Sequence, residues 1–404
     1  MTAEARMRSN VASGWPRMLA LFSLASFVEV VAYGQLTAFT PMYLPRIGVA
    51  PGDVPFWVAV ITAGGSMFGV CFLPFWGALA DRYGRKPLII RSFAATGSGV
   101  AVASLATNVW LFLLARGLSA LSLGNSGLMM TTLAEAAPAS RIGFAYGVLN
   151  GAGPLGSLVG PLVGGPLVDA YGFPAVLALD AALLLLVVVL LTVGYRDAWT
   201  PSPGAPSLLA SAFAGAALLW RSPRLRWLFP ALICVFAGWM LVFAYTPLVV
   251  ARIHSGRDLA TAIGLVLGAG GVVTIVASPG IGALADRLGI VRTYFAIAAV
   301  TAVAWVLPFL LRDYVPFLVA WALANGIGSG AFSLSFNLIA FSTTDATRAR
   351  VMTFSYLPLN LGFVVGPALG AAAAASDPFL IFPTSIALQL VGIGLVALSL
   401  RRPL

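Results

Sequence analysis

The sequence is poor in charge. Only 9% of its 404 residues are Asp, Glu, Lys or Arg, against about 25% in soluble domains. With 60% hydrophobic residues, too little polar material is left to cover a soluble globular surface. Histidine occurs once and cysteine twice. Cys71 and Cys234 stand in apolar stretches, where they read as small buried residues, and His254 has no other His or Cys nearby. Neither a disulfide framework nor a metal site is expected, and no Ser/His/Asp or phosphate-binding constellation is present. An enzyme is therefore disfavoured, and no residue is given a catalytic role. There is no Walker A motif, so ATP is not the direct energy source.

Long apolar runs, in contrast, are abundant. Twelve reach about 20 residues, enough to span a hydrocarbon core of roughly 30 Å. They lie near 18–40, 55–80, 88–107, 109–134, 143–167, 174–194, 227–250, 260–285, 293–311, 315–341, 350–373 and 378–400. They are numbered spans 1 to 12. The first begins after Arg17 and is too long for a signal-peptide core, so no removed leader is expected.

The net charge of +10 follows from where the basic residues sit. With the N-terminus inside, 18 of the 23 fall in inner segments, and only Arg46, Arg252, Arg257 and Arg312 fall outside. That asymmetry is the positive-inside pattern and puts both termini in the cytoplasm. It accounts for the basic charge without nucleic acid.

The chain repeats itself. "GALADR" stands at Gly77–Arg82 and again at Gly282–Arg287. "FTPMYL" from Phe39 is echoed by "YTPLVV" from Tyr245, and "GSLVGPLVGG" from Gly156 by "GFVVGPALGA" from Gly362. Landmarks in one order at nearly one offset mark two homologous halves, an architecture of transporters with a site between the halves near the midplane. The expected units are residues 1–194, a cytoplasmic linker 195–226, and 227–404. The linker opens with the structure-breaking "TPSPGAPS" and continues with "LLASAFAGAALLW". That stretch is too short to span and suits an interfacial helix.

The turn after span 2, "GALADRYGRKP", resembles the signature between spans 2 and 3 of the major facilitator superfamily, through Gly77, Leu79, Asp81, Arg82, Gly84, Arg85 and Lys86. Its second copy keeps Asp286 and Arg287 but has Ile290 and Val291 where the first has Arg85 and Lys86. The resemblance implies a gating turn in which Asp81 faces the N-terminal end of span 11, whose dipole favours an acid. Asp81 would then latch the halves on the cytoplasmic side when the cavity opens outward. Because the second copy lacks the basic tail, this role falls on Asp81 more than on Asp286. The basic residues serve equally as topology anchors.

Span 5 carries Gly147, Gly156, Gly160, Pro161, Gly164 and Gly165 in the pattern G-x8-G-x3-G-P-x2-G-G. It resembles the antiporter motif of the superfamily's drug exporters and implies export over uptake. Read physically, Gly156, Gly160 and Gly164 make one smooth face for close packing, and Pro161 can bend the helix. The nearest resemblance over the whole chain is to the twelve-span drug:proton antiporters, in particular MdtG-type multidrug exporters. It implies an all-α membrane protein of two pseudo-symmetric six-helix bundles that works by alternating access.

Charges inside spans are costly and mark function. Glu29 lies near the middle of span 1, and Arg116 in span 4 at similar depth. The stretch "FLLAR", which ends at Arg116, resembles the superfamily's span-4 arginine motif, although Ser119 and Ala120 replace its later Q-G. A buried carboxylate beside a cation can exchange a proton near working pH, so Glu29 is the expected proton-coupling residue, tuned by Arg116. The other reading of the two is a static buried ion pair. Asp180, near the outer end of span 6, reads as structural.

The expected cavity residues are Tyr33, Gln35, Asn125, Trp239, Tyr245, Asn325, Asn337 and Tyr356, with Asn150, Phe332 and Asn360 as further polar or aromatic groups. Each serves equally well as helix-packing glue. An apolar cavity with few polar groups suits lipophilic or amphipathic small molecules. The expected partners are such a substrate and the lipid bilayer of a bacterial cytoplasmic (inner) membrane. Nucleic acid is not expected, nor any cofactor beyond the proton as coupling ion, and the chain is expected to work as a monomer. The alternative is uptake or facilitated transport of a small metabolite by the same fold. A non-transporting receptor is disfavoured by the short loops.

Overall fold

The computed structural model describes residues 3–122, 125–195, 220–344, 351–352 and 354–403, with the side chains of 3–13, 68–78, 81 and 139 also outside the description. Of the linker expected at 195–226, residues 196–219 lie outside the described residues. Every described element is helical, and no strand occurs among the described residues. Helices suit an apolar setting because each satisfies its own backbone groups internally.

Spans 1, 2 and 3 are the helices Ala3–Tyr43, Val54–Tyr83 and Arg85–Ser104. Spans 5 and 6 are Ile142–Tyr171 and Phe173–Gly194. Spans 7 and 8 are Leu225–Ile253 and Leu259–Leu288. Spans 10, 11 and 12 are Tyr314–Phe341, Leu357–Ser376 and Ile381–Leu400. Nine described helices are long and apolar enough to cross a membrane. They are spans 1 and 5 to 12; span 3, whose first turns carry Arg85, Lys86 and Arg91, is not among them.

Four spans depart from the expected boundaries or continuity, the first by beginning at Ala3 rather than at 18. Span 4 is two 12-residue helices, Val109–Ala120 and Asn125–Ala136, rather than one. The first opens on Asn108, whose side chain accepts from Leu111 N and so caps the helix. Span 9 is divided at Trp305 into Ile290–Ala304 and Val306–Leu310, and the Trp305 ring is fully buried against Phe382. In span 11 Val351 and Met352 are helical, residues 354–356 form a turn, and the helix Leu357–Ser376 follows with Pro358 in its first turn. Proline fits a first helical turn and disfavours helix in the residue before it.

The helices form two six-helix bundles. The ends that carry both chain termini and the turns at Gly84 and Gly289 define one face, here the termini face. The opposite ends, with Gly48, Gly172 and His254, define the far face. Among the described residues, the contacts between spans 5 and 8 lie in the far half. There span 5 lies on span 8: a Cβ on Gly271 would stand 2.9 Å from Leu158 Cβ, and one on Gly268 3.1 Å from Leu162 Cβ. Toward the termini face the corresponding positions Gly147, Gly151, Gly280 and Gly282 have nothing within 4 Å. The far side is thus closed, and the two helices part toward the termini side.

Tyr245 of span 7 closes the far side further. It is fully buried, and its hydroxyl lies 2.8 Å from both Pro55 O of span 2 and Pro367 O of span 11. One phenol hydrogen serves either carbonyl, so Tyr245 ties three helices from both halves at one point.

Candidate functional site

Span 5 positions the centre of the molecule. Its glycine face runs along span 1: a Cβ on Gly156 would lie 2.9 Å from Phe27 O, one on Gly160 2.7 Å from Val31 O, and one on Gly164 2.9 Å from the Gln35 side chain. A larger residue at Gly156 or Gly160 would press on span 1 backbone, and one at Gly164 on the Gln35 and Phe39 side chains. Gly165 and Pro161, on another face, pack against Ala260, Thr261 and Gly264 of span 8. Among the expected motif residues Gly147 alone has no neighbour within 4 Å. Span 5 therefore lies between span 1 of its own half and span 8 of the other.

Glu29 sits on span 1 beside the Gly156 contact. Its Oε2 accepts from Asn125 Nδ2, on the second helix of span 4, at 2.8 Å. Asn125 is buried and Glu29 half-buried. Tyr33 stands one helical turn further along span 1, and the Arg116 guanidinium lies 5.6 Å from its ring centroid. Neither Glu29 nor Arg116 takes part in an ion pair among the described residues. Arg116 Nε is buried with no hydrogen-bond partner. Among the described residues Glu29 and Arg116 therefore do not form the static ion pair of the other reading. Arg116 also borders a small crevice with Thr37, Thr40, Thr62 and, from the other half, Ala244.

The other half offers an aromatic wall. Trp239 stacks on Phe243 with ring centroids 5.8 Å apart and lies 5.3 Å from Phe332. Phe332 continues to Phe336, and Phe336 to the half-exposed Tyr356 at 5.0 Å. Trp239 Nε1 donates to Asn325 Oδ1 at 3.2 Å, which orients the indole. Tyr33 and Phe363 meet edge to face at 6.1 Å and join the two sides. A polar, charged surface from spans 1 and 4 thus adjoins an aromatic one from spans 7, 10 and 11.

The other expected cavity residues are spread more widely. Gln35 is buried, with Oε1 lacking a partner. Asn360 turns back to Tyr356 O at 2.9 Å. Asn337 and Asn150 are exposed, and Tyr245 belongs to the far-side joint. Asp180 is 2% exposed, and its Oδ2 has no partner. Cys234 is a half-buried free thiol.

Gly77 and Asp81 of the gating turn fall on positions of span 2 outside the described side chains. Its basic residues have partners within their own half. Arg85 holds Glu135 with two bonds of 2.6 Å, fixing span 3 to the end of span 4. Lys86 Nζ donates to Thr192 O at 2.8 Å and to Tyr195 O, at the C-terminal end of span 6. A cation there satisfies orphan carbonyls and the negative end of the helix dipole. Arg82 lies over the Tyr83 ring, while Asp286 and Arg287 are exposed. The capping role of Lys86 has a recognisable signal, a lone lysine just after the turn glycine, but its target 106 positions away cannot be read from spacing.

Known proteins share this pattern. The family model described as Major Facilitator Superfamily matches residues 21–261 and 256–403. Multidrug resistance protein MdtG of Enterobacter lignolyticus is 28% identical over 406 residues, covering 98% of this chain and 94% of its own. MdtG of a Rahnella species is 27% identical over 374 residues, covering 90% and 89%. Among solved structures, nucleoside transporter NupG superposes with a TM-score of 0.75 at 14% identity, covering 95% of this chain and 98% of its own. A bacterial homolog of the human lysosomal transporter Spinster, inward-facing and unoccupied, reaches 0.76 at 12% identity, covering 96% and 97%. At such identity the structural likeness concerns the fold alone.

Proposed function

Because this chain belongs to the Major Facilitator Superfamily, and is thus a multi-pass membrane transporter, we propose that it exports lipophilic or amphipathic small molecules in exchange for protons. The observation that carries this reading is Glu29: a carboxylate at mid-span, held by neutral Asn125 and in no ion pair among the described residues. Such a group can take up a proton from one side and release it on the other as the halves rock. The aromatic wall around Trp239 offers an apolar counter-surface for a lipophilic substrate. The complete glycine pattern of span 5 and the likeness to MdtG multidrug resistance proteins support export.

In this reading the termini face is cytoplasmic, following the distribution of basic residues. Residues 1–194 and 227–404 move as units about the site, joined by 195–226. The conformation described above is then the inward-open one. Asp81 latches the cytoplasmic side in the opposite state, Arg116 biases Glu29 through Tyr33, and the chain acts as a monomer in a bacterial inner membrane.

The test is a panel of lipophilic compounds in everted vesicles, with a proton gradient first imposed and then collapsed. Uptake into the everted vesicles that follows the gradient supports the proposal. Transport indifferent to the gradient, or accumulation in intact cells, favours facilitated or inward transport by the same fold.

A further inference from the structure

Asp169 stands at the far end of span 5, and its carboxylate reaches across to the other half. Oδ1 accepts from Ala260 N at 3.1 Å, and Oδ2 accepts from Thr261 N at 2.7 Å and Thr261 Oγ1 at 2.6 Å. Ala260 and Thr261 belong to the first turn of span 8, where backbone N–H groups have no partner within the helix. An acid there also meets the positive end of the helix dipole. Span 8 has an acid of its own at the N-cap, Asp258, but its side chain makes no cap bond. It turns instead to His254 Nε2 at 3.0 Å, and that hydrogen bond holds the Asp258 carboxyl below its ordinary value. The cap of span 8 is supplied by the opposite half.

The sequence around Asp169 is itself a repeat. "GPLVDAYG", Gly165–Gly172, matches "GALADRYG", Gly77–Gly84, at Gly, Leu, Asp, Tyr and Gly. "GALADRLG", Gly282–Gly289, is the third copy. The closing glycines share one backbone shape, with φ of 89° at Gly84, 84° at Gly172 and 89° at Gly289. The copies end spans 2 and 8 on the termini face but span 5 on the far face. Span 11 has no fourth copy, since Ala375 stands where the acid would be.

We infer that Asp169 is the far-face latch of the transport cycle. Its three bonds can form only while the far ends of spans 5 and 8 touch, and all are lost when the halves part there. A contact present in one state alone shifts the balance between states by its full energy. The latch acts on the conformational cycle and is independent of the compound carried and of the coupling ion.

Spin-label pairs on opposite halves test this without substrate. In a Cys71→Ser, Cys234→Ser background, Trp110→Cys with Val315→Cys reports the far face, and Arg141→Cys with Leu288→Cys the termini face. All four positions are exposed. Asp169→Ala and the near-isosteric Asp169→Asn should lengthen the far-face distance and shorten the other. The ratio of the two populations should change roughly tenfold, the size of one charge-assisted hydrogen bond. Thr261→Val, which keeps both backbone donors, should shift it less in the same direction. Unchanged distances in the folded Asp169→Asn protein overturn the inference. So does a lengthening at both faces, which would mark general loosening. Neither result depends on whether protons drive transport.

Discussion

Asn125 Nδ2 lies 2.8 Å from Glu29 Oε2, joining the second half of span 4 to the middle of span 1. Asn125 is buried while making this bond. Replacing Asn125 by Ala removes this bond, worth about 1.5–3 kcal/mol when Glu29 is ionised. Gradient-driven transport is expected to fall roughly tenfold or more. Binding of a fluorescent substrate without a gradient should change far less, because the aromatic wall is untouched. Equal losses in both assays would make Asn125 a packing residue.

Span 5 provides a contrast between two glycines of one motif. A methyl on Gly160 would press on Val31 O at 2.7 Å, whereas one on Gly147 meets nothing within 4 Å. Gly160→Ala should destabilise by about 1–3 kcal/mol, as overpacking does. Gly147→Ala should be neutral or stabilising by up to about 1 kcal/mol, from helix propensity. Thermal unfolding of the two purified variants in one detergent reads the difference directly.

The Tyr245 hydroxyl is another element of the far-side closure. Tyr245→Phe keeps the ring in its fully buried place but leaves Pro55 O and Pro367 O without that donor. The expected result is a loss of about 1–2 kcal/mol and a shift of the far-face label pair toward the open distance. A loss of stability with no such shift would confine Tyr245 to the fold.

The Arg85–Glu135 pair is bidentate, yet the Glu135 side chain is 63% exposed. A double-mutant cycle with Arg85→Gln and Glu135→Gln should give a coupling of only about 0.2–1 kcal/mol, reduced further by salt. A coupling well above that range would mean the pair is desolvated in the working state.

Much of the architecture is legible in the sequence because it rests on simple periodicities. The apolar runs mark the spans, and the recurrence of "GALADR" marks the halves. Glu29 stands out as a lone acid in an apolar run, and Asn125 is among the polar candidates. Their contact is not legible, since 96 residues separate them and hydropathy alone reads span 4 as one helix. Span 9 likewise breaks at Trp305 where hydropathy is continuous, although Pro308, which cannot bond the Ala304 carbonyl, marks the place in the sequence. Asp169 is hidden for a different reason. Its repeat with Asp81 lies within one half and on the opposite face, and a search for recurrence between halves does not find it.

Glu29 is the residue on which proton coupling rests, and purified protein in liposomes tests it most directly. A pH-sensitive dye inside the vesicles should report proton movement when a transported compound is added to the wild type. Glu29→Gln, which keeps the shape but cannot lose a proton, is predicted to bind the compound and move no protons. Proton movement of wild-type size in Glu29→Gln would contradict the assignment.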